Sequence, residues 1–200
     1  YLRIATEIYL KRAVVGGVDR VFEMNRNFRN EGMDSSHSPE FTSLEAYEAY
    51  SDYNGMAELT RDLIQQAARD AFDLSEGEEI VRLADGTEYD LSGQWDRIDL
   101  YGSTSEALGE EVTVETPRET LVKYAERIGL EVDDYAVSGK IVEDIFEELV
   151  ASKLWAPTFV YDFPEDTSPL TRYHRSRAGL TEKWDLYVRG FETGTAYSEL

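Results

Sequence analysis

The sequence predicts an α+β fold in which an antiparallel β-sheet is flanked by helices. Stretches near both ends alternate apolar and polar side chains with the period of two that is typical of strands. The middle of the chain instead repeats its apolar residues every three or four positions, as amphipathic helices do. Because strands gather at both ends with helices between them, we expect antiparallel pairing rather than a regular alternation of strands and helices.

The first fifty residues predict a strand, a helix and a hairpin. Residues 1–5 read as a short strand, and Thr6 is expected to cap a helix over residues 7–15 that a Gly-Gly pair ends. Residues 20–29 and 40–50 alternate with period two around a bend, which predicts an antiparallel hairpin with one unusually polar face. That face is predicted to carry Glu23, Asn25, Asn27 and Arg29 from the first strand and Phe41, Ser43, Glu45 and Tyr47 from the second.

The middle of the chain predicts three helices and a mixed segment. A helix over residues 54–73 is expected to bury Leu59, Leu63 and Ala67 together with Ile64, Ala68 and Phe72. Residues 76–103 carry turn signals with short strands between them. The sequence "TPRE" predicts a capping box that opens a helix to about residue 128. A last helix over residues 138–153 packs through Ile141 and Ile145, and its "EDIFEE" acids are interpreted as a solvated face.

The last third of the chain returns to strands. Residues 157–161 read as one strand, and residues 183–188 and 192–200 are expected to form a hairpin around Arg189 and Gly190. Taken together, 200 residues predict a single domain of three stretches, 1–75, 76–154 and 155–200. Both ends read as strands without a preceding or following loop, so we expect an excerpt of a longer chain.

The charge is the most unusual property of the composition. There are 20 Lys and Arg against 41 Asp and Glu, a formal charge of −21, and such a surface repels a nucleic-acid backbone except at local basic groups. It either aids solubility or marks a protein from a halophile; we favour the halophile, because acids are spread over every predicted solvent face. There is no cysteine and no apolar run of membrane-spanning length, so we expect no disulfide, no membrane and a cytoplasmic location.

The stretch "RNFRNEGMDSSHSPEF" contains several residues that can bind a nucleotide, arranged around a bend. Arg29 ends a strand, where its guanidinium can bind phosphate oxygens; Glu31 can accept a proton from an amino group. His37 can donate to a distal phosphate, and Phe41 offers a ring on which a base can stack. These residues fit a nucleotide site, and equally a surface salt bridge beside a core aromatic.

The second hairpin predicts a pair of carboxylates. A two-residue turn makes Tyr187 the partner of Glu192, which brings Asp185 and Glu192 to one face. Such a pair suits Mg²⁺ held by carboxylates and substrate phosphates, although two solvated acids fit the spacing as well. A kink at Gly194 would bring the next alternating residues to that face and make an anionic pocket for an amine, whose candidate residues are Thr195, Tyr197 and Glu199, with Glu7, Glu45 and Tyr47 from the start of the chain.

Residues 1–53 and 155–200 resemble the catalytic domain of class II lysyl-tRNA synthetases. The likeness rests on "FRNEG" and "HSPEF", which are similar to motif 2 of that family, and on "PTFVYDFPEDTSPL" and "GFETGTAYSEL", which follow in the family's order. It implies a partial catalytic domain on the antiparallel sheet of class II synthetases. The activity implied is ATP-dependent formation of lysyl-adenylate and transfer of lysine to tRNA(Lys), in a protein that is a homodimer when complete.

The resemblance also implies individual roles. Arg29 would hold the α-phosphate of ATP and the lysine carboxylate and act as the catalytic residue; Glu31, His37 and Phe41 would bind the adenine amino group, the γ-phosphate and one adenine face. Asp185, where the family more often has Glu, and Glu192 would hold Mg²⁺. The lysine substrate would meet Glu7 at its α-ammonium, Glu199 and Tyr47 with Glu45 at its ε-ammonium, Tyr197 along its stem, and Thr195, where many members have Asn, at its carboxylate.

Three other readings remain open at this stage. One is a related ligase that attaches a lysine-type group to a protein of the elongation-factor-P kind. Another is an aspartyl or asparaginyl synthetase, which the acidic pocket disfavours. The third is a non-catalytic acidic binding module. Since family motifs 1 and 3 and the anticodon-binding domain are absent from these residues, we expect the 200 residues alone to activate lysine poorly or not at all.

Overall fold

The computed structural model describes residues 1–33 and 37–200, which form two compact units. The first unit comprises residues 1–51 and the second residues 52–200. No helix in the part of the chain that the structure describes is long and apolar enough to cross a membrane.

The first unit is a helix followed by a β-hairpin. Its elements are α1 (Glu7–Val15), β1 (Arg20–Phe28) and β2 (Glu40–Glu48). The strands are antiparallel with Glu23 opposite Glu45 and Asn27 opposite Phe41, which confirms the predicted hairpin and its polar face. The polar face is the more buried one, because Asn25 and Asn27 are buried while the apolar side chains of the opposite face are exposed, namely Phe22, Met24 and Leu44.

Two predictions for the first unit are wrong. Residues 1–5 form no strand, although the carbonyl of Arg3 accepts a hydrogen bond from the amide of Phe28 at 2.8 Å. Thr6 does precede α1, but its side chain makes no capping hydrogen bond. Its hydroxyl instead accepts a hydrogen bond from Asn25 Nδ2 at 2.8 Å, so the threonine joins the helix to the hairpin.

The second unit contains the remaining helices and six strands. The long helix α2 (Tyr53–Phe72) is followed by a two-stranded sheet and a four-stranded sheet with helices between their strands. In chain order the elements after α2 are β3 (Ile80–Arg82), β4 (Glu88–Asp90), β5 (Asp96–Asp99), α3 (Leu100–Leu108), α4 (Arg118–Arg127), α5 (Ser138–Leu149), a short 3-10 helix (Ala151–Lys153), β6 (Thr158–Tyr161), β7 (Lys183–Val188) and β8 (Phe191–Tyr197).

The four-stranded sheet is mixed rather than wholly antiparallel. Its strand order is β5-β6-β7-β8, and β5 runs parallel to β6 while the other two pairs are antiparallel. The connection from β5 to β6 contains α3, α4 and α5, and a crossover of that length allows a strand to return in the same direction. The mixture of helices and sheets agrees with the predicted α+β class.

The helix α2 buries only part of the predicted surface: Ala68 is buried and Ile64 packs against the core as expected, but the row of Leu59, Leu63 and Ala67 is exposed. Its buried residues are Tyr53, Ala57, Gln65 and Ala68, whereas the expected Leu59 and Leu63 are both about half exposed and Phe72 is exposed. Two apolar ladders run along this helix, and only one can face the core. The side that carries Gln65 is the buried one, because the side-chain amide of Gln65 donates hydrogen bonds to the carbonyls of Leu91 and Gly93 at 2.7 and 2.9 Å.

The helices between β5 and β6 are partly as predicted. The helix α5 buries Ile141, Val142, Ile145 and Phe146 in the main core, as its period indicates. The helix α4 begins where "TPRE" predicts, but the capping box is wrong: Pro117 is the N-cap, and the Thr116 hydroxyl accepts a hydrogen bond from the amide of Thr113 at 2.8 Å instead. The helix α3 lies largely outside the predicted mixed segment and was not expected.

Candidate functional site

In the first unit, Arg29 and Phe41 lie against each other. Arg29 follows directly after β1, and its guanidinium carbon is 5.2 Å from the centroid of the Phe41 ring on β2. Its Nε donates a hydrogen bond to the carbonyl of Ile4 at 3.2 Å. The guanidinium is therefore aligned with an aromatic face at the end of the hairpin, while the residue as a whole stays exposed.

The bend between β1 and β2 carries the other predicted nucleotide contacts. Glu31 and His37 are both exposed and lie on either side of residues 34–36. We also expect "GMDSS", residues 32–36, to become ordered over a bound nucleotide; residues 34–36 of this stretch lie outside the described part of the chain. Glu31 and His37 thus belong to the same exposed bend as Arg29.

Glu45 is the centre of the predicted amine-binding residues in the first unit. Its Oε1 accepts a hydrogen bond from the backbone amide of Thr6 at 3.1 Å, and its Oε2 accepts one from the hydroxyl of Tyr47 at 3.1 Å. Glu7 follows Thr6 and forms an ion pair with Lys11 one turn later. The structure therefore brings Glu7, Glu45 and Tyr47 together, and it gives Glu45 the role of tying β2 to the start of α1.

In the second unit, the hairpin of β7 and β8 places the predicted carboxylates on one face. Tyr187 is opposite Glu192, which confirms the predicted pairing, and Asp185 is opposite Thr195. Between these pairs the register shifts by one residue, and Thr193 is the extra residue on β8. This β-bulge supplies the kink expected at Gly194, because it lets the residues on either side of it face the same way.

A cavity of about 430 Å³ lies beside this face. Asp185 and Glu192 line it together with Thr195 and Tyr197, and helix α5 contributes two more carboxylates. Asp185 is 95% buried; its Oδ2 is 3.0 Å from the ammonium of Lys183, and its Oδ1 has no hydrogen-bond partner among the described residues. The polar and charged residues around the cavity are Glu143, Glu147, Thr167, Ser168, Thr171, Lys183, Asp185, Glu192 and Thr195.

The carboxylates of the cavity disfavour one another's ionisation. The pKa of Glu192 is raised, first because protein atoms displace water from its carboxyl group and next because Asp185 is negatively charged. Burial also raises the pKa of Glu143, although a hydrogen bond from the hydroxyl of Thr167 at 2.6 Å and the charge of Lys183 oppose this change. A cation entering the cavity would relieve this repulsion.

The remaining predicted residues lie at the end of β8. The hydroxyl of Thr195 donates to the carbonyl of Trp184 at 3.2 Å, and Tyr197 is opposite Lys183. Glu199 is exposed and forms an antiparallel bridge with Thr171. Thus Asp185, Glu192, Thr195 and Tyr197 meet at one cavity, and Glu199 continues the same strand edge.

Three charged residues of the cavity were missed by the sequence analysis. Lys183 is two residues before Asp185, and the period of a strand alone places both on one face. Glu143 and Glu147 are four residues apart on α5 and so share a side of that helix. The interpretation of "EDIFEE" as a wholly solvated face is wrong for Glu143, which is half-buried and accepts a hydrogen bond from Thr167. Glu147 is exposed, as predicted, although it also borders the cavity.

Comparison with known proteins relates the whole chain to enzymes that charge tRNA. A model of the family described as tRNA synthetases class II (D, K and N) matches residues 1–200. Two proteins named lysine–tRNA ligase, from Kineococcus radiotolerans and Mycolicibacterium gilvum, are each 59% identical to this chain over its full length. A lysylphosphatidylglycerol biosynthesis bifunctional protein from Gordonia bronchialis is 48% identical, also over the full length.

These relatives are longer than the present chain. The chain covers 39% and 40% of the two lysine–tRNA ligases and 18% of the bifunctional protein, so it spans about two fifths of the ligases that it matches. The family model, in contrast, matches this chain from its first residue to its last. The chain therefore belongs to the class II tRNA synthetases of the D, K and N type.

Proposed function

We propose that this chain is part of the catalytic domain of a lysine–tRNA ligase. In the complete protein it would activate lysine with ATP to give lysyl-adenylate and pyrophosphate, and then pass lysine to tRNA(Lys). The observation that carries the proposal is the 59% identity to two proteins of that name across every residue of this chain. The acidic cavity and the polar hairpin face support it, because both suit a substrate with two ammonium groups.

The ATP end of the reaction is assigned to the first hairpin. Arg29 would bind the α-phosphate and stabilise the charge that develops as the lysine carboxylate attacks phosphorus. Phe41 would stack on adenine, and the contact between the Phe41 ring and the Arg29 guanidinium supports this role, since it holds both groups in place before ATP arrives. Glu31 would accept a hydrogen bond from the adenine amino group, and His37 would donate to the γ-phosphate.

The lysine end is assigned to the carboxylates and tyrosines that the family resemblance implies. Glu7 would bind the α-ammonium, Glu199 and Tyr47 the ε-ammonium, and Tyr197 would pack along the aliphatic stem. The hydrogen bonds of Glu45 to Thr6 and Tyr47 support a positioning role for Glu45 beside this site. Thr195 would contact the carboxylate. A neutral side chain in place of lysine would leave a carboxylate of the site without a cation, which costs enough to exclude it.

Asp185 and Glu192 are the proposed holders of Mg²⁺. The fit rests on Asp185, whose buried Oδ1 has no hydrogen-bond partner among the described residues, and on the raised pKa of Glu192, since a cation would satisfy both carboxylates. Within residues 1–33 and 37–200, no group of three or more histidine, aspartate or glutamate side chains is arranged to hold a metal ion. When bound, Mg²⁺ would neutralise charge on the phosphates of ATP.

The complete protein is proposed to be a homodimer that works in the cytoplasm. The resemblance of the motif 2 segment to lysyl-tRNA synthetases supports the dimer, and the role in translation supports the location. tRNA(Lys) would be bound with the help of parts of the longer protein, because a chain with a charge of −21 offers few basic groups to a nucleic acid.

Lysine-dependent exchange of pyrophosphate into ATP tests the proposal directly. The full-length protein is expected to catalyse this exchange with lysine and not with aspartate or asparagine. Arg29→Ala is expected to lower the rate by about a hundredfold or more, because it removes a group that stabilises the transition state. Arg20→Ala is the matched control, since Arg20 lies on the same hairpin and pairs with Glu48 at the surface. Exchange that needs no lysine, or an unaffected Arg29→Ala variant, would contradict the assignment.

A further inference from the structure

One ammonium group faces four carboxylates among the described residues that line the cavity of the second unit. The ammonium is that of Lys183, and the carboxylates belong to Glu143, Glu147, Asp185 and Glu192. None of the proposed substrate contacts uses this lysine. Its presence inside an acidic cavity therefore calls for a separate explanation.

The position of Lys183 is fixed by two contacts. Its Nζ is 3.0 Å from Oδ2 of Asp185, two residues further along β7 on the same face. The same Nζ is 3.8 Å from the centroid of the Phe163 ring, a distance at which an ammonium is attracted to an aromatic face. The Lys183 side chain is 22% exposed and that of Asp185 is 6% exposed, so water screens this pair less than it screens a surface salt bridge.

The charge of Lys183 acts across the cavity as well as on Asp185. It lowers the pKa of Glu143 and of Glu192, in opposition to the burial that raises both. A positive charge placed there also repels any other cation that approaches the same carboxylates. Lys183 thus favours the charged form of these acids and at the same time competes with the metal that they are proposed to hold.

We propose that Lys183 is a resident counter-cation that weakens the binding of a free divalent cation by Asp185 and Glu192. The site then takes its metal mainly when the phosphates of a nucleotide supply further negative charge. This inference rests on the proposed function, because it takes the assignment of Mg²⁺ to these two carboxylates as its starting point. It makes Lys183 a positioning residue for Asp185 and not a catalytic residue.

Titration of the full-length protein with Mn²⁺ in the absence of nucleotide, followed by the electron paramagnetic resonance of free Mn²⁺, tests the proposal. Lys183→Gln removes the charge and is expected to tighten Mn²⁺ binding about tenfold, which corresponds to about 1.4 kcal/mol. Lys183→Arg keeps a cation and is expected to bind Mn²⁺ like the wild type. Asp185→Asn combined with Lys183→Gln is expected to lose the gain, which would place the bound ion at this cavity.

Two further variants keep the result interpretable. Lys123→Gln is the matched control, because Lys123 is an exposed lysine on α4 that is not among the residues lining the cavity, and it should leave Mn²⁺ binding unchanged. Phe163→Leu removes the aromatic contact but not the charge, and it should tighten Mn²⁺ binding about two- to threefold as the ammonium loses its fixed position.

Unchanged or weaker Mn²⁺ binding in Lys183→Gln, with a melting temperature like that of the wild type, would overturn the inference. If Lys183→Gln does not fold, unchanged binding in Phe163→Leu overturns it in the same way. A failure of the proposed function would look different: the wild type would lack lysine-dependent pyrophosphate exchange, whatever the order of Mn²⁺ affinities among these variants.

Discussion

Glu182 and Arg175 form an ion pair whose acidic member has no exposed side-chain surface. Arg175 donates from Nε and Nη2 to the two carboxylate oxygens of Glu182, with 2.9 Å between Nη2 and Oε2. The backbone of Glu182 pairs on one side with Arg172 and on the other with Ser198, at 2.9 Å in each case. The pair therefore joins the loop after β6 to the end of β8, where Tyr197 and Glu199 lie.

The stability of this chain should fall at acid pH partly through Glu182. Arg175 lowers the pKa of Glu182 to about 2, against the burial that raises it. Because the pKa is depressed in the folded state, the stabilisation is complete above the ordinary pKa of glutamate and is lost as the pH falls from about 5 toward 2. Unfolding by denaturant at a series of pH values should show this loss in the wild type and a smaller one in Glu182→Gln.

The same variant should be less stable at neutral pH by about 1–3 kcal/mol, since it weakens a hydrogen-bonded group with no access to water. Glu106→Gln is the control, because Glu106 is an exposed glutamate on α3. An unchanged pH dependence in Glu182→Gln would show that the acid sensitivity of the fold comes from other carboxylates.

Gly139 should not accept a side chain. A Cβ at this position in α5 would lie 2.0 Å from Oδ1 of Asp166 and 2.5 Å from Cγ of Pro164. Asp166 also accepts a hydrogen bond from the amide of Gly139 at 3.0 Å, so the loop after β6 cannot move away without losing this bond. Gly139→Ala is expected to destabilise the protein by about 1–3 kcal/mol in thermal or denaturant unfolding.

Gly102 provides the comparison for Gly139. It lies in the first turn of α3, and an added Cβ would meet its nearest atom, Oδ1 of Asp99, at 3.4 Å, an ordinary contact. Gly102→Ala is expected to be neutral or slightly stabilising, because alanine favours a helix more than glycine does. Equal effects of the two substitutions would contradict the crowding argument.

Glu45→Gln should weaken the binding of lysine more than that of ATP. The carboxylate of Glu45 accepts hydrogen bonds from Thr6 and Tyr47, and an amide can replace only one of its oxygens as an acceptor. The start of α1, which carries Glu7, then loses a contact to β2. In the full-length enzyme the KM for lysine is expected to rise about tenfold, as the loss of 1.4 kcal/mol would produce.

The KM for ATP in the same variant should change less than twofold. Glu48→Gln is the matched control on β2, since Glu48 pairs with Arg20 at the end of the hairpin. A rise in both KM values together would argue for a general disturbance of the hairpin.

Salt should stabilise the protein if its acidity is an adaptation to a salty cytoplasm. At a charge of −21, the folded chain repels itself, and molar KCl screens this repulsion. The melting temperature is expected to rise by about 5–10 °C between dilute buffer and 2 M KCl, because the salt screens the repulsion among the acidic side chains. A melting temperature that does not depend on KCl would leave solubility as the reason for the acidity.

Local patterns predicted the parts of the fold that depend on short sequence distances. The pairing of Tyr187 with Glu192 follows from a two-residue turn, and the polar face of the first hairpin follows from period two; both are confirmed. The bulge lies at Thr193, one residue before the expected Gly194, because an extra residue needs only room on the strand and not the freedom of glycine.

Features that depend on distant contacts were not predictable in this way. The buried face of α2 is determined by hydrogen bonds from Gln65 to residues 91 and 93. The helical period of the sequence does not reveal such bonds. The parallel direction of β5 depends on three helices that follow it, and α3 begins at the end of a segment rich in turn signals and continues beyond it. In the cavity, Glu143 resembles a surface acid in the sequence, and only the fold brings it beside Thr167 and the strand β7.

The bulge at Thr193 makes the length of β8 matter more than the identity of the residue there. Removal of one residue between Glu192 and Thr195 would remove the bulge and make the register regular. Every side chain on one side of the deletion would then turn to the opposite face of the sheet. Substitutions at Thr193 leave this counting intact, whereas single-residue deletions or insertions do not. The number of residues between Glu192 and Thr195 is therefore a requirement of the cavity face, whereas the Thr193 side chain contributes a local hydrogen bond from its hydroxyl to the carbonyl of Leu186 at 3.1 Å.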